Sequence, residues 1–239
     1  MREIFTREED GVCTLIEVDL NAYGYSQRFG WLLSIFIKVD GSDETKDGYE
    51  EFLETKESLI IALEHEEKAK FVGMRVVDGW SELYFYTRDS KGYDNLVSKI
   101  LTPSAYQYES HIVKDSKWDF HYKNLLPTEE ELAHIQSEKI IFLLKEEGDD
   151  IEIARDVEHY LSFQTPTQKE KFIQTLDRSF VFKDEIEHED FENAIAILHH
   201  QKVTSSEMKK VVHKLFELLQ PYQGYYEGWS TVLAQEETL

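Results

Sequence analysis

After residue 150 the chain alternates two periodicities in an order that few folds accept. Val157–Phe163 reads as a strand, and Thr165-Pro166-Thr167-Gln168 then opens a helix. Thr165 and Gln168 have the spacing of a capping box, with proline at the first helical position, where its missing N–H costs nothing. Phe172, Ile173 and Leu176 supply the buried side of that helix. Phe180–Phe182 and Ala194–His199 read as the next strands, separated by an acidic loop. Thr204 and Glu207 start a second helix, in which Met208, Val211, Val212, Leu215, Phe216 and Leu219 keep a 3.6-residue period. Tyr225–Ala234 closes the unit as a strand. The order β-α-β-β-α-β is that of a ferredoxin-like sandwich.

The first half obeys a related logic. Val12–Leu20 and Trp31–Val39 are β-rich runs separated by Tyr23-Gly24-Tyr25. In Gly48–Glu66, Phe52, Leu53, Leu59, Ile60 and Leu63 recur at helical spacing. Phe71–Val77 and Glu82–Thr87 flank Asp78-Gly79, a strong hairpin signal. A short helix over Tyr93–Leu101 leads to a strand near Gln107–Val113. This unit therefore reads β-β-α-β-β-α-β. Between the two units, Thr128–Glu147 reads as a helix with a Thr128/Glu131 capping box and Gly148 as its C-terminal cap. Its apolar residues gather toward the C-terminal half, as in a connector docked at its far end. The expected fold class is α+β: two ferredoxin-like sandwiches, antiparallel sheets with helices on one face, joined by a helix. The expected boundaries are 1–127, 128–147 and 148–239.

Charge narrows the function. With 48 acidic against 26 basic residues, the formal net charge is −22. Such a surface repels phosphate backbones and anionic lipid, so the expected partner is a basic patch on another protein, with no direct nucleic-acid or membrane binding. The single Cys13 excludes an internal disulfide and any multi-cysteine metal site, and fits a half-buried strand in a reducing cytosol. No apolar run approaches the ~20 residues needed to cross a bilayer. The expected location is cytoplasmic.

Chemistry-bearing patterns are few. There is no Gly-x-Ser-x-Gly elbow, no phosphate-binding glycine loop and no His-Glu-x-x-His pair. His199 and His200 are adjacent, so on a strand they face opposite sides, while His213 and Glu217 form an i,i+4 pair. The acid-rich run Asp184–Glu192, with His188 in its middle, reads as a solvated loop. Asp43, Thr45, Asp47, Glu51 and Glu54 fall on ligand positions of a calcium-loop template, with Gly48 at its turn. Glu50 stands where the template has an apolar residue, and the preceding segment reads as a strand, which favours an acidic helix start instead. No cofactor and no metal are expected, and no catalytic constellation marks an enzyme. Two aromatic runs, Trp118-Asp119-Phe120-His121-Tyr122 and Tyr222–Trp229, serve either a core or an interface.

Three separated motifs carry a resemblance. Glu146-Glu147-Gly148-Asp149-Asp150, Val157-Glu158-His159-Tyr160-Leu161-Ser162 and Tyr226-Glu227-Gly228-Trp229-Ser230-Thr231 resemble the ribonuclease E inhibitor B (RraB) family in order and spacing. The resemblance spans about residues 138–239. It implies a ferredoxin-like acidic domain that binds ribonuclease E, or a related nuclease, and restrains RNA cleavage without touching RNA. Glu158, His159, Glu227 and Trp229 are carried over as matching, partner-binding positions. The family's long acidic C-terminal tail has no counterpart in the final Glu236-Glu237-Thr238-Leu239. Phe71-Val72-Gly73, Tyr84-Phe85-Tyr86 and Asp115 with Trp118, Tyr122 and Pro127 make the first unit similar to an uncharacterised family often joined ahead of that domain. The leading expectation is a non-enzymatic acidic regulator. The alternative is a small-molecule-binding protein or enzyme using a cleft in the first unit near Asp115, Trp118, His121 and Tyr122.

Overall fold

The computed structural model describes residues 2–39, 46–104, 106–187, 191 and 193–235, which form two compact units, Met1–Leu126 and Pro127–Leu239. The first contains β1 (Arg2–Glu9), β2 (Val12–Asp19), β3 (Trp31–Lys38), α1 (Lys46–Glu64), β4 (Ala69–Val77), β5 (Trp80–Thr87), α2 (Tyr93–Leu101) and β6 (Tyr108–Lys114). Its six strands run in the order β1-β2-β4-β5-β3-β6, with every neighbouring pair antiparallel. The segment β3-α1-β4-β5-α2-β6 is by itself a βαββαβ unit. The β1–β2 hairpin extends its sheet past β4.

That hairpin includes a strand absent from the sequence expectation. Asp10 and Gly11 take φ of 51° and 79°, as Asp78 and Gly79 take 48° and 74°. Both residues at φ > 0 is the demand of a type I′ turn, whose twist matches the paired strands. Asp10-Gly11 carried the same signal as Asp78-Gly79. Charge at its inward positions hid the strand before it: Glu3 and Phe5 are buried while Ile4 is 62% exposed.

Helices α1 and α2 cover one face of this sheet. Phe52, Leu59, Ile60 and Leu63 from α1, and Val97 and Leu101 from α2, pack on Leu33, Ile35, Phe71, Leu83 and Phe85. Leu53, expected on the buried side of α1, lies at the rim and is exposed. Two helices on one face are the sandwich arrangement expected for the unit; over β4 and β5 a further chain segment lies on the opposite face. There Trp118 stacks on Tyr86, and Phe120 packs against Tyr84. A single wide π-helical turn, His121–Leu125, follows. Gly73 lies tight between β2 and this segment: a Cβ there would lie 2.6 Å from the Glu17 carbonyl and 3.3 Å from Leu125 Cδ1.

The second unit contains α3 (Glu129–Glu146), β7 (Arg155–Phe163), α4 (Pro166–Gln174), β8 (Val181–Ile186), β9 (Ala194–Gln201), α5 (Ser205–Leu219) and β10 (Gly224–Thr231). Its antiparallel sheet has the order β10-β7-β9-β8, the same arrangement as β6-β3-β5-β4 in the first unit. Thr128 and Thr165 both close full capping boxes, with Glu131 and Gln168, and Thr204 accepts the Glu207 N–H. At the end of α3, the N–H groups of Gly148 and Asp149 bond to the carbonyls of Lys145 and Leu144, a Schellman arrangement.

Helix α3 is part of this unit and packs on it along its length, not only at its far end. Ile141 joins Val157, Met208, Val212 and Trp229 in one buried cluster, with Ala133, Ile140 and Leu144 at its margin. The Asp149 carboxylate, just past the helix, pairs with Arg155 of β7 at 2.7 Å with both side chains buried. It also accepts the Ala234 N–H at 2.8 Å. Contacts spread from Ala133 to Leu144, so the helix docks along most of its length.

Candidate partner-binding face

Strand pleat sorts the four carried-over residues into two pairs. On β7, Val157, His159, Leu161 and Phe163 point to the helices, so Glu158, Tyr160 and Ser162 point away from them. His159 is fully buried, with Nδ1 3.0 Å from the Tyr226 hydroxyl and its ring edge-on to Phe180. Its Nε2 has no hydrogen-bond partner. Burial first, then the nearby His199, pull its pKa from 6.5 down to about 3, so the ring is neutral. Trp229 lies opposite His159 across the β10–β7 ladder and is also buried, its indole N–H donating to the Ser137 hydroxyl at 3.0 Å. Burial likewise raises the Tyr226 hydroxyl above the usual phenol range.

Glu158 and Glu227 belong to the other side of the sheet. Lys183 of β8 donates to Glu158. Ser162 donates to Glu227, which sits in a β-bulge between Tyr226 and Gly228. Tyr160 shares a 2.7 Å hydrogen bond with Ser230. Asp156 stands at one end of the same face beside His200, 2.9 Å away. Helices α3, α4 and α5 all pack on the opposite side, and among the described residues no helix of this unit covers the Glu158 face. The structure thus leaves open a sheet face carrying Asp156, Glu158 and Glu227 around Tyr160, with Lys183 as its cation.

In the first unit, Asp115, Trp118, His121 and Tyr122 do come together, but as packing instead of a cleft lining. Asp115 accepts the Tyr86 hydroxyl at 2.6 Å and the N–H groups of Asp119 and Phe120 at 3.0 Å each. Burial raises this carboxyl, and those three hydrogen bonds outweigh it, holding it below the usual carboxylate range. Trp118, at φ 59°, stacks on Tyr86 with centroids 3.8 Å apart and donates to the Phe29 carbonyl at 2.6 Å. Both Trp118 and His121 are completely buried. Burial pulls the His121 pKa down. The Asp19 main chain offsets part of this without closing a hydrogen bond of normal geometry. Tyr122 meets Tyr23 edge-on. These residues hold a chain segment on the sheet.

Other candidates resolve plainly. Asp43 and Thr45 of the calcium-loop pattern lie outside the described residues, as does the Asp47 side chain. Glu51 and Glu54 are exposed on α1. Among the described residues no group of three His, Cys, Asp or Glu side chains could hold a metal ion. Asp184–Ile186 of the acidic run is strand, while residues 188–190 and 192 lie outside the description. Cys13 lies on β2, exposed. Among the described residues no helix is long and apolar enough to cross a membrane. Ser137 and Arg155, not singled out from sequence, and Asp149, quoted there only as part of the Glu146–Asp150 motif, turn out to tie α3 to the second sheet. Their signal was weak because each bond spans elements distant in the chain or buried by the fold.

Comparison with known families matches this two-part architecture. Residues 3–126 match the model of a family described as a family of unknown function, DUF695. The chain belongs to that family. Residues 134–231 match a second family, RraB, described as "Regulator of ribonuclease activity B". The RraB match begins inside α3, in agreement with the packing of that helix on the second sheet. No curated protein matches the chain. Among solved structures, an unknown protein from Galdieria sulphuraria aligns over 85% of this chain and 99% of its own, at 7% identity and a TM-score of 0.21, too low to carry an argument.

Proposed function

We propose that this chain is a non-enzymatic cytoplasmic regulator whose second unit binds a basic surface of a ribonuclease E-type endoribonuclease and restrains RNA cleavage. The observation that carries this reading is the open face of the RraB-matching sheet, where Asp156, Glu158 and Glu227 surround Tyr160. Carboxylates interleaved with tyrosine suit a Lys/Arg-rich protein surface, since Tyr supplies contact area and the acids supply steering. The net charge of −22 argues against competition for RNA by direct binding. On this face Glu158 and Glu227 make contact, while His159 and Trp229 support it from the helix side.

The test is cleavage of a labelled RNA by purified ribonuclease E, with and without the whole chain, over a salt series. The chain is expected to slow cleavage at low salt and to lose effect as salt screens the interface within ~8 Å. The paired charge reversals Asp156→Lys and Glu158→Lys are expected to weaken restraint about tenfold or more, as for charges that face a complementary surface. Unchanged cleavage together with no salt-sensitive complex would remove the reading.

A further inference from the structure

Beside the open face, on the helix side of β10, lies a groove of about 330 Å³ between α3 and β10. That is within the size range of ligand-binding clefts, about 300–1,000 Å³. Leu132, Ala133 and Ile140 of α3, with Phe216, Tyr226 and Trp229, give it an apolar floor. Glu129 and Glu227 line the same groove. Glu129 is exposed in the first turn of α3, and Glu227 is held by the Ser162 hydroxyl. Neither carboxylate has a cation partner among the described residues, although Glu130, next to Glu129, meets His213 at 2.8 Å. An apolar trough with two uncompensated acids complements a segment that carries both a positive charge and an apolar side chain.

We infer that this groove takes a short Lys- or Arg-bearing apolar segment of a partner protein. This deepens the reading of the second unit as a partner-binding module and rests on it, and it shares only Glu227, at the bulge of β10, with the acids of the open face. The apolar side chain displaces water from the floor between Ile140 and Trp229, and the cation meets Glu129 and Glu227. Recognition works through side chains. β10 pairs only with β7 among the described strands, but its bulge at Glu227, with Gly228 at φ 124°, breaks the regular edge that an added strand would need.

The test titrates the whole chain with three fluorescein-labelled octapeptides, of alternating Lys/Leu, Glu/Leu and Lys/Ser, read by fluorescence anisotropy. The Lys/Leu peptide is expected to bind about tenfold or more tighter than either other peptide, because charge and apolar contact are both required. Gln136→Trp places an indole on an exposed position lining the groove, and is expected to weaken Lys/Leu binding about tenfold by occupying the trough. Far-UV circular dichroism confirms that this variant is folded. Glu129→Lys tests the charge from the opposite rim and is expected to weaken binding severalfold. Equal binding of Lys/Ser and Lys/Leu would show attraction to an acidic surface only, and would overturn the inference. So would Lys/Leu affinity unaffected by Gln136→Trp, or no binding at all. Because no ribonuclease is present, failure here leaves the RNA-cleavage test of the open face standing on its own.

Discussion

Trp229 and Ser137, 92 residues apart, are joined by a 3.0 Å hydrogen bond from the indole N–H to the hydroxyl, both groups buried. A buried indole donor needs a partner, and here that partner is supplied by α3. The bond places a helix that lies ahead of the βαββαβ sequence inside the core of the second unit.

A fragment starting at residue 148 is therefore expected to be far less stable than one starting at 127. It loses the burial of Ile135 and Ile141, worth about 3–6 kcal/mol at ~1.5–3 per fully buried side chain. It also leaves the Trp229 N–H without its acceptor. Urea titration of the two fragments checks this. Comparable midpoints would mean that α3 contributes nothing to the second core.

The buried His159 makes the second unit acid-sensitive. Its folded pKa of about 3 lies below the ordinary 6.5, so between those values the unfolded chain binds a proton that the folded chain does not. Stability is then full above pH 6.5 and falls as pH drops toward 3. The loss at pH 5 is about 2 kcal/mol, from 1.36 kcal/mol per pH unit below the unfolded pKa. Chemical denaturation between pH 5 and 7.5 reads this slope, and His159→Gln is expected to flatten it. A slope unchanged by that substitution would assign the acid sensitivity to other groups.

Gly73 is the position at which the first unit has no spare room. Gly73→Ala brings a methyl against the Glu17 carbonyl of the paired strand, which cannot rotate away as a side chain can. The expected cost is about 1–3 kcal/mol, the range for overpacking a tight site. Thermal unfolding of the variant checks it, with Gly30→Ala as the control, since the nearest atom to a Cβ there is 3.7 Å away.

Local signals carried much of the architecture. Thr128/Glu131, Thr165/Gln168 and Thr204 all cap helices where their spacing places them, because a cap needs only residues within one turn. The Asp78-Gly79 turn formed for the same reason. The hairpin at Asp10-Gly11 was equally legible by its turn, yet β1 was hidden because Glu3, Arg7 and Glu9 share the inward side with Phe5 while Ile4 faces out, so no apolar alternation marks the strand. The open face was legible only in part. Glu158-His159 signals a strand, but alternation alone says that neighbours point apart, not which of them meets the helices.

From the sequence alone follow the order of strands and helices after β1, the helix starts, the Asp78-Gly79 turn and the strongly acidic composition, all properties of short windows or of composition. Tertiary structure alone decided that α3 joins the second core and that Asp115 and Trp118 clamp a segment onto the first sheet. It also decided that His159 and Trp229 are buried while Glu158 and Glu227 edge an open face. Those outcomes depend on which distant surfaces bury one another. A periodic pattern marks residues that share a face, but only the packing partner determines whether that face is covered or meets water.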